Sequence, residues 1–279
     1  MSVNPKTLYI VGTPIGNLGD ISARAAETLA GVDFIAAEDT RVTIKLLSRL
    51  GIRTPMISYR KHNSARCGAE IAARLQNGEC AALVCDAGMP AVSDPGESLV
   101  ALCHDLGIKT VIVPGPCAAV AALSLSGLPA GRFCFEGFLS TASSVRREHL
   151  RQLRGETRTM IFYEAPHKLA ATLSDLYDAL GDREIFIARE MTKLYEQTLR
   201  FTLSEAMEYF AATPPKGEFA LAVRGADEPE SGGERDAEAL ALARAYVAGG
   251  MPLSEAARRA ASETGAGKNA LYRQLTKES

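Results

Sequence analysis

The stretch from Leu83 to Gly96, LVCDAGMPAVSDPG, constrains the fold of this chain more than any other. An apolar run from Cys80 to Cys85 stops at Asp86, and Gly88, Pro90, Pro95 and Gly96 follow, with a second carboxylate at Asp94. A short apolar run bounded by turn residues fits a buried strand, and open α/β sheets place ligand loops at the carboxyl ends of such strands. Asp94-Pro95-x-Glu97 reads as a helix start, with Asp94 as the cap and Pro95 at the first helical position. Two acidic side chains and several free backbone groups therefore flank one loop. That suits a polar ligand carrying an amine or hydroxyls, and an ordinary strand–loop–helix corner is the plain alternative.

The chain is long enough for two domains and a small appendage, and its 47% hydrophobic content supports real cores. A net charge of −2 announces no nucleic-acid partner, so any basic surface must be local. No apolar run reaches membrane-spanning length, and Leu8 to Gly12 reads as a first strand rather than as the core of a signal peptide. The six cysteines include no Cys-x-x-Cys pair, and Cys80, Cys85 and Cys134 lie in apolar runs. Reduced, buried thiols in a cytoplasmic protein are expected, with no metal site.

Along the chain, strands are expected at Thr7–Gly12, Asp33–Ala37, Met56–Tyr59, Thr110–Val113, from Phe133, at Arg158–Tyr163, Glu184–Ala188 and Glu218–Val223. Helices are expected between most of them, and a strongly basic one runs from Val145 to Leu153. The loop TPIGNLGD after the first strand lacks both the G-x-G-x-x-G and the G-x-x-x-x-G-K-[ST] spacing, which counts against a dinucleotide Rossmann enzyme and a P-loop NTPase. At the second strand's tip, Glu38-Asp39-Thr40-Arg41 is polar, and Asp39 or Thr40 either caps the next helix or does chemistry. Pro114 to Ala119 precedes a small-residue helix whose N-terminus offers free N–H groups. The expected organisation is an α/β domain over 1–128, a second over 129–225, a linker over 226–235, and a helical, helix–turn–helix-like extension over 236–279.

Taken together, LYIVGTPIGNLGDIS, AAEDTR, ALVCDAGMPAVSDPG, VPGPCAAVAALSLSGLP, FCFEGFL, MIFYEAPHK, AREMTK and KNALY, in that order, resemble the ribosomal RNA small subunit methyltransferase I family. That family lies within the tetrapyrrole-methylase-like class of S-adenosylmethionine-dependent enzymes. The resemblance implies two α/β domains of tetrapyrrole-methylase type with the donor cleft between them, a homodimer, and 2′-O-methylation of a cytidine in the decoding region of small-subunit ribosomal RNA. GTPIGNLGD and CDAGMPAVSDPG depart from the Gly-rich loop and Gly-Asp-Pro motif of tetrapyrrole-acting members, which argues against a porphyrin acceptor. Met89 stands where the ribosomal family has Thr, and Gly12 where it has Pro. The alternatives are a same-fold methyltransferase for a tetrapyrrole or protein acceptor, and a non-enzymatic RNA-binding protein.

On this resemblance Asp86, Ala87, Gly88, Pro90, Ala91 and Val92 wrap the donor, and Pro114, Gly115, Pro116, Cys117, Ala118 and Ala119 contact it through backbone groups. Phe162, Tyr163, Ala188, Arg189, Phe219, Ala220 and Leu221 close the other side, with Tyr163 bracketing the adenine. Methyl transfer from a sulfonium is an in-line displacement that mainly needs alignment, and a base taking the hydroxyl proton adds roughly 10²- to 10⁴-fold. Asp39, Glu190 and Lys193 are the candidate bases; a lysine in that role needs a depressed pKa. Asn17 and Arg41 are candidates for holding ribose or phosphate. Arg60, Lys61 and Arg66, then Arg146, Arg147 and Arg151, and in the tail Lys268 and Arg273, are the candidate RNA contacts, the plain alternative being solvated faces.

Overall fold

The computed structural model describes residues 3–227 and 233–278. The chain divides into two units, Met1–Gly225 and Ala226–Ser279.

The first unit begins with β1 (Thr7–Val11), α1 (Ala23–Gly31), β2 (Phe34–Ala37), α2 (Thr40–Leu50), β3 (Met56–Ser58), α3 (Ser64–Gln76), β4 (Ala81–Val84), α4 (Glu97–Asp105), β5 (Lys109–Val113) and α5 (Ala118–Ser126). The strands form a parallel sheet in the order β3-β2-β4-β1-β5. Its central strands are buried on both faces, which is why they read as unbroken apolar runs. Leu8, Ile10, Phe34, Ala36 and Leu83 pack with Ile71 and Leu75 of α3 and Leu99 of α4. Tyr9, Val11, Ile35, Ala37 and Val84 pack with Leu29 of α1 and Leu47 of α2. The alternation of strand side chains thus serves two helical layers.

The second sheet holds β6 (Phe133–Phe138), β7 (Thr159–Glu164), β8 (Glu184–Arg189), β9 (Gln197–Thr202) and β10 (Phe219–Val223), in the order β6-β7-β10-β8-β9. Among its neighbouring pairs, β6 and β7 are parallel and the rest antiparallel. On one face lie α6 (Ser143–Gln152), α7 (Pro166–Leu180) and α8 (Leu203–Ala212), contributing Leu150, Leu169, Leu173, Leu176 and Phe210 to the core. The other face is covered by α5, whose Ala119, Ala122 and Leu123 meet Ile161, Phe186, Ala188 and Ala220. That helix precedes residue 128 in the chain yet packs on the second sheet, so the first unit is knitted together across its two halves.

Two expectations need correction. The cap of α4 is Gly96, not Asp94. Gly96 has φ 148°, and a Cβ there would lie 2.9 Å from Leu83 Cδ2, so the turn needs glycine and Asp94 is left at the loop's edge. The edge strand β9 was not expected at all, although Leu199 and Phe201 alternate with Thr198 and Arg200 and both pack against the core.

In the second unit α9 (Gly233–Ala248), α10 (Leu253–Thr264) and α11 (Lys268–Glu278) share a core of Ala239, Ala243, Ala257, Ala260, Leu271 and Leu275. Gly265 ends α10 in the left-handed conformation at φ 76°. Of the expected linker, residues 228–232 lie outside the described residues, and α9 already begins at Gly233.

Candidate functional site

The loops leaving β1, β4 and β5 meet at two glycines. A Cβ on Gly12 would lie 2.6 Å from the Gly115 backbone, and one on Gly115 would lie 2.7 Å from the Gly12 carbonyl carbon. Only glycine lets these backbones approach so closely. Thr13 and Gly88 exchange N–H···O bonds of 2.9 and 3.1 Å, and Thr13 Oγ1 donates to the Cys85 carbonyl at 3.2 Å. Met89 Sδ lies 3.3 Å from the Gly115 nitrogen and 2.6 Å from where a Gly12 Cβ would be. The two positions that depart from the family pattern are therefore in contact, and the bulkier residue at 89 occupies space that the smaller one at 12 vacates.

Beside this junction β2 and β4 end as neighbours, and their tips are laced together. The Asp39 N–H donates to Asp86 Oδ1 at 3.1 Å, and the Asp86 N–H to Glu38 Oε2 at 3.4 Å. The tips open into a cavity of about 1020 Å³ lined by, among others, Glu38, Asp39, Arg60, Lys61, Asp86, Ala91 and Asp94. Burial, and then the charge of Asp94, pushes the Glu38 carboxyl above its ordinary value. Burial likewise raises Asp86 and Asp94, and each is raised further by a neighbouring carboxylate. A cavity rimmed by these three carboxyls favours ligand groups that carry positive charge or donate hydrogen bonds.

The expected bases fare unequally. Asp39 is the cap of α2: its Oδ1 accepts from the Arg41 N–H at 2.9 Å, and its carboxylate is gripped by the Arg41 guanidinium at 2.5 Å and approached by Arg60 at 3.5 Å. The Arg41 hydrogen bonds hold its pKa far below the carboxylate range, so it is a poor proton acceptor. Glu190 and Lys193 pair at 2.9 Å, and Lys193 also reaches Glu218 at 2.9 Å. Burial opposes both charges, but these bonds outweigh it, lowering Glu190 and raising Lys193. The two carboxylates around Lys193 thus favour its charged form, the reverse of the depressed pKa a lysine base requires.

Sequence reasoning placed Glu38 in the polar tip without singling it out. Thr13 and Glu218 lay in a loop and a strand it had placed, but it gave neither a role. The signal for Glu38 was its place at a strand end. Its closeness to Asp86 follows only from the strand order, which brings β2 beside β4.

The residues expected around the donor are divided. Asp86 and Ala91 line the cavity, Gly88 and Gly115 belong to the glycine junction, and Ala87 and Val92 are exposed on the same loop, with Pro90 buried. Pro116 has its carbonyl oxygen 3.6 Å from where a Gly88 Cβ would be, while Cys117 and Ala118 pack with α5's core and Pro114 is exposed. The Ala119 N–H is already taken by Tyr163 Oη at 2.9 Å. Tyr163 therefore caps α5. Its ring is bracketed by Phe135 and Phe138 at 5.1 and 5.4 Å, and burial pushes its hydroxyl up to about 12. The side chains of Phe162, Phe219 and Leu221 turn into the core beneath α6–α8, on the face away from α5, because strand side chains alternate. Ala188 and Ala220 face α5, and Arg189 bonds the Lys216 carbonyl at 2.6 Å.

Among the expected RNA contacts, Arg146 is corrected outright. It is 7% exposed and pairs with Asp175 at 2.6 Å, because the apolar stripe of α6 carries it inward. Arg147 is exposed and shares Asp175 at 2.9 Å, and Arg151 is an exposed partner of Glu148. Arg60 donates to the Glu38 carbonyl at 3.0 Å, Lys61 lines the cavity mouth, and Arg66 is exposed on α3. Asn17 accepts from the Gly19 N–H at 2.9 Å, capping a single 3₁₀ turn. Lys268 and Arg273 are exposed on α11. Among the described residues no group of His, Cys, Asp and Glu is arranged to hold a metal ion, and no helix is long and apolar enough to cross a membrane.

Residues 7–207 match the family model described as Tetrapyrrole (Corrin/Porphyrin) Methylases, and residues 233–278 match the one described as RsmI C-terminal HTH domain. Proteins named ribosomal RNA small subunit methyltransferase I are 49% identical over 95% of both chains in Synechocystis and 45% identical over 96% of both in Pseudomonas aeruginosa. The protein of that name in Thermotoga maritima is 47% identical, with 98% of its length matched by 78% of this chain. Among solved structures, diphthine synthase (TM-score 0.59, 15% identity) matches over 78% of this chain and 90% of its own. Uroporphyrin-III-C-methyltransferase from Thermus thermophilus (TM-score 0.56, 17% identity) matches over 78% and 94%. At those identities the likeness shows the fold alone.

Proposed function

This chain belongs to the ribosomal RNA small subunit methyltransferase I family, within the tetrapyrrole methylase fold, and on that footing we propose that it methylates the ribose 2′-hydroxyl of a cytidine in the decoding region of small-subunit ribosomal RNA. The observation that carries the reading is identity near one-half along 95% of the chain, tail included. The donor is S-adenosylmethionine, whose sulfonium supplies an already activated methyl group. The residues at hand fit such a group: a close-packed glycine junction at three strand ends, and beside it carboxyls suited to an amine or hydroxyls.

The chain's own work is then alignment and proton handling. Asp86 is held by the Asp39 N–H and so keeps the β4 loop against the β2 tip. Glu38 is the proposed proton acceptor for the attacking hydroxyl. It lines the cavity, forms no ion pair among the described residues, and has a raised pKa, which makes it a stronger base than Asp39 or Glu190. Asp39 and Arg41 lock each other at the cavity edge, with Lys61 and Arg66 next along the chain for phosphate. The RNA strand must be single or splayed, since a duplex keeps the ribose out of a deep site. The proposal includes a homodimer acting in the cytoplasm. Support for a second copy comes from apolar side chains left exposed along β5 and α5, Ile112, Val120 and Leu125.

Labelled donor offered with small ribosomal subunits, with naked ribosomal RNA, with a tetrapyrrole and with total protein tests the acceptor class. Label in ribosomal RNA alone is expected. Label in the tetrapyrrole or in protein overturns the reading.

A further inference from the structure

The loop between β8 and β9 carries the most exposed large apolar side chains among the described residues, Leu194 at 89% and Tyr195 at 73%. Everything around them is pinned. The Thr192 N–H donates to Glu196 Oε2 at 2.7 Å, the Lys193 N–H to the Glu190 carbonyl at 3.0 Å, and the Glu196 N–H to the Lys193 carbonyl at 3.1 Å. Lys193 Nζ ties the loop's base to Glu190 and Glu218. Two non-glycine residues are left-handed, Glu190 at φ 50° and the β-branched Thr192 at φ 66°. Thr192 Oγ1 is, among the described residues, a buried hydroxyl without a hydrogen-bond partner. Strain of this kind persists only where the surroundings enforce it.

The loop also meets the first loop of the sheet below. A Cβ on Gly16 would lie 2.5 Å from Lys193 Cγ and 2.9 Å from Thr192 Oγ1. The rigid base of the loop therefore abuts the TPIGNLGD segment that leaves β1, and the tip projects beyond it. Neither Leu194 nor Tyr195 makes a side-chain hydrogen bond or ring contact among the described residues. The exposed Tyr195 ring presents a flat aromatic face on a rigid support, the kind of surface on which a single base stacks.

From this geometry we propose that Tyr195, backed by Leu194, is a stacking platform for an unpaired RNA base beside the nucleotide being methylated. This rests on the RNA reading above. A nucleotide presented to a deep site must leave its stack, and an aromatic face on a rigid tip receives a base whatever its sequence. Because the ring binds substrate and takes no part in proton transfer, it acts on KM rather than on kcat.

The test compares wild type with Tyr195→Ala, Tyr195→Phe and Leu194→Ser, using small ribosomal subunits as acceptor. It reads KM and kcat, donor affinity by calorimetry, and mass by sedimentation. Tyr195→Ala should raise KM for the acceptor roughly ten-fold, with donor affinity and mass unchanged, and Tyr195→Phe should restore it. An unchanged KM in Tyr195→Ala, with wild type active, overturns this proposal alone. Loss of a dimer in Tyr195→Ala also overturns it, assigning the tip to a second copy. A wild type that methylates no ribosomal RNA removes both this proposal and the reading beneath it.

Discussion

At the scale of single residues, carboxylates of similar sequence context receive opposite environments. Asp39 and Glu38 are adjacent, yet Arg41 holds one far below its ordinary pKa while burial lifts the other above it. The sequence shows both at a strand tip and cannot show which one the arginine takes, because that depends on Asp39 capping α2 and Arg41 turning back over it. A base must be unprotonated to act, so a raised pKa moves the loss of activity to higher pH. The acid limb of kcat/KM should fall above the pH of an ordinary glutamate. Glu38→Gln should lower kcat by about 10²-fold or more and abolish that limb, as read from pH–rate profiles of both proteins. A limb unchanged in Glu38→Gln would assign the proton to another group.

At the scale of elements, local periodicity was legible and partnership was not. The basic helix α6 is plain in the sequence, but Arg146 faces inward to Asp175 of α7, a residue 29 positions on, while Arg147 next to it faces out. Arg146→Ala should cost about 3 kcal/mol of stability in urea unfolding, since it strips a buried carboxylate of its better partner and leaves only the exposed Arg147. RNA affinity of the folded variant should not change, which separates a structural arginine from a phosphate contact. The same limit explains the second sheet. Phe162, Phe219 and Leu221 sit in strands that approach the site, but alternation sends these side chains to the far core, and the choice of face is fixed by where α5 packs. The strand β9 was missed because the polar residues between Leu199 and Phe201 hide an edge strand with only one buried face.

For the whole molecule, the ordered motifs were enough to reveal the fold, because all but KNALY mark strand ends and the two sheets bring those ends together. The site was less legible, since strand order and not sequence distance makes Glu38 a neighbour of Asp86 and Gly12 a neighbour of Gly115. The Thermotoga maritima relative is matched over nearly its whole length by 78% of this chain. Both sheets, and every group proposed to take part in methyl transfer, lie in the first unit. The most direct measurement is to label small-subunit RNA from cells lacking the enzyme with radioactive methyl donor, digest it to nucleosides, and identify the labelled one after mapping its position with nucleases. The account predicts 2′-O-methylcytidine from the decoding region. Label on a base, or on a ribose elsewhere in the RNA, would contradict it.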